Sequence, residues 1–273
     1  MSLLTDDRAR IRLALVAMLC LAGFFAVALL VRAGLTTDID HAALRALASF
    51  HGGPLDPVMV AVSELGVADI LGFFTMIPAG LLWASGARRA ALFVGLGYFL
   101  SAVVTDVIKA TVARARPPVT FQIPLKMSET EDLIWAALAI LLVIALWRTR
   151  WRWGAVLGAT VFAITIWFDP TPLSTPGIDS FPSGHALRSI VLIGSLLIAA
   201  PWRPSRRVVI AAALVLLAIG VSRVYLGEHH PSDVIAGWLA GASLACALSL
   251  IPVLRTHEEV VLPAVLGGHA ASG

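Results

Sequence analysis

An apolar stretch of bilayer-spanning length, RLALVAMLCLAGFFAVALLVR, occupies residues 12–32. A membrane-spanning helix needs about 20 mostly apolar residues, and about 17 suffice. Seven more stretches meet or approach that requirement: residues 68–86, 89–111, 132–148, 153–168, 185–201, 207–222 and 233–252. The sequence therefore predicts an all-α, polytopic membrane helical bundle with about eight transmembrane helices.

The composition agrees with a membrane protein. Hydrophobic residues make up 59% of the 273-residue chain and charged residues 14%, whereas soluble domains carry about 25% charged residues. The formal net charge is only +3 and no basic run occurs, so nucleic acid is not an expected partner. The expected partners are the lipid bilayer and a ligand that resides in it.

Arginine clusters orient the predicted helices, because short cytoplasmic loops of membrane proteins collect positive charge. They precede the first stretch and recur in every second connection: Arg8, Arg10 and Arg12, then Arg88 and Arg89, then Arg148, Arg150 and Arg152, then Arg203, Arg206 and Arg207. This alternation predicts that both termini are cytoplasmic in a bacterial inner or plasma membrane. The connections on the opposite, periplasmic face are then residues 33–67, 113–131, 169–184 and 223–232.

The first periplasmic connection is long and partly amphipathic. Residues 38–66 are too polar to span a membrane, but Leu44, Leu47 and Ala48 recur at helical spacing. This pattern predicts an interfacial amphipathic helix on the periplasmic side.

The chain is interpreted as one membrane-embedded domain over residues 1–255. The remaining residues, 256–273, mix charge, proline and glycine and predict a flexible cytoplasmic tail. Gly237 and Gly241 in the last stretch have the GxxxG spacing that is typical of closely packed helices.

Two fixed cations, Lys109 and Arg116, lie at the periplasmic end of the third predicted span. A lone cation is costly there unless it is paired or reaches water. Asp106 lies one turn before Lys109 and could pair with it, so these charges could serve structure alone. Arg114 is interpreted as a solvated loop residue.

The segment Pro182-Ser183-Gly184-His185 opens the sixth predicted span. A helix N-terminus presents unpaired N–H groups and a positive dipole end, which suit an anion. Gly184 allows the backbone to approach a ligand closely, and Ser183 adds a hydroxyl donor. Taken alone, the segment is also a common turn with a serine N-cap.

The most specific segment is Arg223-(five residues)-His229-(three residues)-Asp233. Arg223 offers a planar fork for phosphate oxygens. Pro231 begins the last predicted span, which places Asp233 in its first turn. A histidine oriented by a carboxylate keeps one ring nitrogen free to attack. Since two histidines are adjacent, His230 could contact Asp233 instead, but we expect it to be an exposed residue at the rim.

Together these segments resemble the signature of the type 2 phosphatidic acid phosphatase superfamily, which also includes vanadium haloperoxidases and glucose-6-phosphatase-like enzymes. The resemblance covers roughly residues 105–241 and fills every fixed signature position. The family's nucleophile lies six residues after the arginine of the third segment, which is His229 here. The resemblance implies that His229 attacks phosphorus and that Asp233 holds and polarises it. It also implies that His185 protonates the leaving oxygen and then activates water.

The same resemblance implies which groups bind the phosphoryl oxygens: Lys109, Arg116, Ser183, Arg223 and the amide of Gly184. It implies neither a metal nor another cofactor. Membrane members typically have six spans, whereas two predicted spans here separate the first and second segments. We interpret about residues 130–168 as a hairpin inserted into the six-helix core. Such a hairpin keeps the three signature segments on one face of the membrane, but the identity of the substrate then does not follow from the family resemblance.

The sequence thus predicts a metal-independent integral-membrane phosphatase that hydrolyses a terminal lipid phosphate through a phosphohistidine. Undecaprenyl or another polyprenyl diphosphate is the first expected substrate, followed by phosphatidic acid, phosphatidylglycerophosphate or a lipid A phosphate. The open alternatives are a lipid phosphotransferase, a haloperoxidase-like enzyme that uses vanadate, and a transporter or scaffold with an inactive site.

Overall fold

The computed structural model describes residues 7–123, 129–149, 151–167, 179–200 and 204–254. In chain order, the α-helices within these residues are α1 (Asp7–Arg32), α2 (Thr37–Ala48), α3 (Leu55–Glu64), α4 (Ala68–Ala84), α5 (Arg88–Val112), α6 (Glu129–Leu146), α7 (Arg152–Trp167), α8 (Gly184–Ala199), α9 (Arg206–Tyr225) and α10 (Pro231–Leu250). Short 3-10 turns lie at Val119–Phe121 and Pro252–Leu254. The predicted tail, residues 256–273, lies outside the described residues.

The all-α expectation is confirmed for the described part of the chain, and each of the eight predicted apolar stretches coincides with one helix. Among the described helices, α1, α5, α9 and α10 are long and apolar enough to cross a membrane. Shorter apolar segments occur in α4, α6 and α8. The exact number of spans stays a prediction.

The polar stretch after α1 folds into two helices, α2 and α3. The apolar residues of α2 do face the protein, since Leu44 is buried against Ala186, Val224 and Val234. α2 also buries the carboxylate of Asp40, which the apolar pattern did not indicate. The position of α2 at a periplasmic membrane surface stays a prediction.

Close packing of α10 on α8 aligns the ends of these two helices. A Cβ atom on Gly237 would lie 2.6 Å from the carbonyl oxygen of Ser183, and one on Gly241 would lie 2.5 Å from that of Leu187. The GxxxG prediction is therefore confirmed, because only glycine permits this approach. At the same end, the backbone N–H of Ser183 donates to the carbonyl of Asp233 over 3.0 Å. The second and third signature segments are thus joined directly.

The two helices of the predicted inserted hairpin, α6 and α7, pack on each other, and α7 also packs on α4. A Cβ atom on Gly158 would lie 2.6 Å from the carbonyl oxygen of Met76, so α4 and α7 approach with backbones in near contact. The hairpin is therefore part of the helical bundle and borders the space between α4 and α5.

Candidate active site

A tight turn between α9 and α10 carries the candidate nucleophile. Gly227 adopts a left-handed conformation, with φ of 70°, which glycine takes up without strain. The turn folds back on α9, because the N–H groups of Glu228 and His229 both donate to the carbonyl of Arg223, over 3.0 and 3.2 Å. This local folding explains how residues six positions apart come to share one site.

His229 is held by a backbone carbonyl. The ring is 2% exposed, and its Nδ1 lies 2.7 Å from the carbonyl oxygen of Ser180. A carbonyl only accepts hydrogen bonds, so Nδ1 carries the proton and Nε2 keeps its lone pair. The expected orienting carboxylate, Asp233, lies 3.8 Å from Nδ1, which is beyond hydrogen-bonding distance.

Asp233 instead bonds to His230 and Arg114. Its Oδ2 accepts from the backbone N–H of His230 over 2.8 Å and from Nδ1 of the same residue over 3.2 Å. Its Oδ1 accepts from Nη1 of Arg114 over 2.5 Å. His230 is therefore buried against Asp233, and the expectation of an exposed rim residue is wrong. The carboxylate caps α10 and still lies close enough to act electrostatically on His229.

The interpretation of Arg114 as a solvated loop residue is also wrong. Its Nη2 donates to Asp40 of α2 over 2.7 Å, and its Nη1 donates to Ser232 over 2.7 Å as well as to Asp233. Asp40 in turn accepts from the N–H and the hydroxyl of Ser232, over 3.0 and 2.6 Å. Burial raises the pKa of Asp40, but the hydrogen bonds from Ser232 and Arg114 outweigh it, and the pKa is lowered overall.

We expect Asp40→Ala to lower the free energy of unfolding by about 3 kcal/mol, because it leaves a buried guanidinium and a buried N–H without their shared acceptor. The thermal midpoint of the detergent-solubilised protein measures this effect. Asp7→Ala is the matched control, since Asp7 pairs with Arg10 at an exposed position where ion pairs contribute little. Equal shifts in the two variants would contradict a stabilising role of Asp40.

Two of the predicted phosphate-binding arginines share a carboxylate. Glu228 accepts from Nη1 of Arg116, and its Oε2 lies 3.4 Å from Nη2 of Arg223. The Nη1 of Arg223 also donates to Ser63 of α3 over 2.6 Å. Glu228 was not predicted as a site residue, although it lies between Arg223 and His229 in sequence. The carboxylate therefore holds both guanidinium groups close together.

Lys109 and the N-terminus of α8 supply the remaining predicted phosphate-binding groups. Lys109 lies in the last turn of α5, and its ammonium interacts electrostatically with Arg116 and Asp106. The start of α8 packs on the same helix, because a Cβ atom on Gly184 would lie 3.4 Å from Thr105. The first and second segments are therefore adjacent as well.

His185 lies in the first turn of α8, against the turn between α3 and α4. A Cβ atom on Gly66 would lie 2.7 Å from the imidazole of His185, so Gly66 makes room for the ring. His185 interacts electrostatically with Arg223, His229 and Lys109. The three signature segments therefore lie next to one another. Gly66 was missed, since nothing in its sequence context marks it as functional.

Several buried polar atoms of this region have no hydrogen-bond partner among the described residues. They are Nε of Arg116, Oγ of Ser183, Nε2 of His185, Nε of Arg188 and Nε of Arg223. Buried polar groups are nearly always paired, so each such atom calls for an explanation. Most of these atoms are donors that would suit the oxygens of a phosphoryl group.

The acid stability of the protein should depend on His229. Burial lowers the pKa of His229 to about 4, although the Asp233 carboxylate opposes the shift. In the unfolded chain the pKa is about 6.5, so the unfolded state binds more protons as the pH falls from 6.5 toward 4. We therefore expect the free energy of unfolding to fall over this window, by at most about 3 kcal/mol from this group.

Thermal midpoints measured between pH 7 and pH 4 check this linkage, with His229→Gln as the comparison because glutamine does not titrate. The midpoint of the wild-type protein should decline more steeply than that of the variant. If the thermal midpoints of the two proteins declined equally, protonation of His229 would not contribute to the loss of stability at low pH.

A protein-family model shows to which superfamily the chain belongs. The family model of the PAP2 superfamily matches residues 90–256, which is more than half of the chain and includes all three segments. The chain belongs to the PAP2 superfamily. The resemblance drawn from the signature is thereby confirmed, and with its apolar helices the protein is an integral membrane protein of this superfamily.

Two curated relatives match shorter regions of the chain. The undecaprenyl-diphosphatase of Sulfolobus acidocaldarius is 45% identical over 68 residues, which is 23% of this chain and 29% of that protein. Phosphatidylglycerophosphatase B of Bacillus subtilis is 34% identical over 82 residues, which is 28% of this chain and 40% of that protein. The chain thus matches less than half of the length of either relative.

The fold resembles that of a solved PAP2 protein. The crystal structure of a transmembrane PAP2-type phosphatidylglycerolphosphate phosphatase from Bacillus subtilis superposes with a TM-score of 0.58 at 20% identity, covering 85% of this chain and 94% of the other. At this identity the likeness establishes a shared transmembrane helical fold.

Proposed function

We propose that this PAP2 protein is a metal-independent phosphatase that removes the terminal phosphate of a membrane lipid, with a polyprenyl diphosphate as the first candidate substrate. The observation that carries the proposal is a single buried region that combines a neutral histidine, His229, with several donors that have no acceptor among the described residues. A phosphoryl group needs both a nucleophile and compensation of its negative charge.

In the first step, Nε2 of His229 attacks the phosphorus and the bond to the leaving oxygen breaks. His185 donates its proton to that oxygen, so the lipid alcohol or lipid monophosphate departs and a phosphohistidine remains. The cations Arg116, Arg223 and Lys109 stabilise the charge on the equatorial oxygens. The carbonyl of Ser180 fixes the His229 ring, while Asp233 stabilises the positive charge that develops on it.

In the second step, His185 is neutral and accepts a proton from water. The resulting hydroxide attacks the phosphorus, the N–P bond breaks, and inorganic phosphate is released with His229 restored as a neutral imidazole. Both histidines return to their starting protonation states, so the cycle is complete without an external cofactor.

The names of the curated relatives support a lipid substrate, since one is an undecaprenyl-diphosphatase and the other a phosphatidylglycerophosphatase. An apolar cavity between α4, α5 and α7 reaches the start of α8, which suits a substrate with a hydrocarbon chain.

The site is proposed to face the periplasm with both termini in the cytoplasm, because the arginine pattern predicts that orientation. A C-terminal fusion to a phosphatase that is active only in the periplasm should stay inactive; activity would contradict the orientation.

The function is tested by phosphate release from purified protein in detergent with excess EDTA. The panel comprises farnesyl diphosphate, farnesyl monophosphate, phosphatidic acid and phosphatidylglycerophosphate. Release from at least one of them, inhibited by vanadate as a phosphate analogue, supports the proposal. The proposal fails if the folded wild-type protein releases no phosphate from any lipid, or if EDTA abolishes the release.

A further inference from the structure

Arg188 is a further cation beside the candidate site, in addition to the predicted phosphate-binding residues Lys109, Arg116 and Arg223. It lies three residues after His185 in α8, so the two side chains share one face of the helix. The guanidinium turns back toward the helix start, because its Nη1 lies 3.5 Å and its Cζ 3.7 Å from the position of a Cβ atom on Gly184. The charged group of Arg188 therefore lies beside the turn that opens α8.

No contact in the described part of the chain explains this charge. Arg188 forms no ion pair with any described residue, and its Nε is buried without a hydrogen-bond partner there. Arg188 interacts electrostatically with Lys109 and His185, neither of which carries a negative charge that would balance it. A half-buried cation in a membrane helix without a carboxylate is costly, and it commonly marks a ligand site.

Arg188 also borders the apolar cavity. The cavity has a volume of about 460 Å³, and its lining residues include Met76, Trp83, Leu96, Tyr98 and Val161. Arg188 is the charged residue among the described residues of this lining. The side chain therefore lies between the general acid, His185, and an apolar space of the kind that accepts hydrocarbon.

The proposed mechanism determines which part of the substrate lies beside His185. His185 donates its proton to the leaving oxygen, so the next group of the substrate extends from that oxygen on the side of His185. In a lipid monophosphate this group is the hydrocarbon. In a lipid diphosphate it is a second phosphoryl group that carries a further negative charge.

We propose that Arg188 binds the phosphoryl group that stays with the lipid, and so selects lipid diphosphates over lipid monophosphates. This inference rests on the proposed function and names its substrate class. The guanidinium supplies a charge-assisted fork to the second phosphoryl group, and the first part of the hydrocarbon lies in the adjoining cavity. Arg188 then also stabilises the lipid monophosphate as a leaving group.

The test compares two substrates that share one chain, farnesyl diphosphate and farnesyl monophosphate. Arg188→Gln should lower kcat/KM for the diphosphate by roughly 30-fold or more, the scale of losing one buried charge contact, and for the monophosphate by less than about 3-fold. Arg188→Lys keeps the charge and should retain more diphosphate activity than Arg188→Gln. Arg206→Gln at the exposed start of α9 is the matched control and should change neither value.

The remaining activity on the monophosphate shows that the variants are folded. Losses of equal size on both substrates, or unchanged hydrolysis of the diphosphate, would overturn the role of Arg188 and leave the phosphatase function standing. If the wild-type protein released phosphate from another lipid of the panel but from neither farnesyl substrate, the selection of lipid diphosphates would be overturned. Absence of release from every lipid of the panel would instead reject the proposed function itself.

Discussion

His229→Ala should abolish phosphate release, with a fall in kcat of roughly 10⁴-fold or more, because removal of a covalent nucleophile eliminates the first step. The structure holds the ring through Nδ1 and the carbonyl of Ser180, 2.7 Å apart, which leaves Nε2 as the attacking atom. The Nδ1 of His230 is directed at Asp233 in a similar way, so the choice of His229 rests on its position in the family signature and on its electrostatic interaction with Arg223 and Arg116. The measurement is the steady-state release of phosphate from the best lipid substrate.

His51→Ala is the matched control, because His51 bonds to the carbonyl of Tyr225 and has no place in the proposed chemistry. It should keep most of the activity. If His229→Ala retained more than a few per cent of the wild-type rate, a histidine other than His229 or a directly activated water would have to be the nucleophile.

His185→Ala should produce the second-largest loss, about 10²- to 10⁴-fold in the hydrolysis of lipid phosphates, which is the range for a general acid–base group. The loss should depend on the leaving group. An aryl phosphate such as p-nitrophenyl phosphate expels its oxygen without a proton, so the first step should continue in the variant. The second step should remain slow because no group activates the water.

Pre-steady-state measurement distinguishes these steps. With p-nitrophenyl phosphate, His185→Ala should give a burst of about one equivalent of p-nitrophenol per active site, followed by slow turnover. A burst in the wild-type protein should be smaller, since its second step is faster. Equal losses on alkyl and aryl substrates, with no burst, would show that His185 only binds the phosphoryl group.

Much of the architecture could be predicted from hydropathy, because membrane helices require long apolar stretches and these are visible in a single sequence. The packing of Gly237 and Gly241 was equally accessible, since the spacing of small residues encodes close approach. The assignment of His229 as the candidate nucleophile came from the family resemblance, because the residues alone did not separate it from His230.

The polar network around Asp233 could not be predicted in the same way. Arg114 and Asp40 meet across 74 positions of sequence, and the burial of Asp40 depends on how α2 lies over the start of α10. A polar residue on an amphipathic helix usually faces water, so Asp40 gave no signal of burial. The positions of Glu228 and Arg188 beside the site were missed for a related reason, because they depend on neighbours contributed by other segments.

The most direct test of the account is to trap the intermediate and locate it. Wild-type protein would be mixed with its lipid substrate, quenched rapidly in alkali, which preserves phosphohistidine, and digested for mass spectrometry. We expect a phosphoryl group on His229, absent from His229→Ala and more abundant in His185→Ala. A phosphoryl group on His230 or on another residue, or active enzyme that never carries one, would contradict the claim that the three segments converge to make His229 the nucleophile.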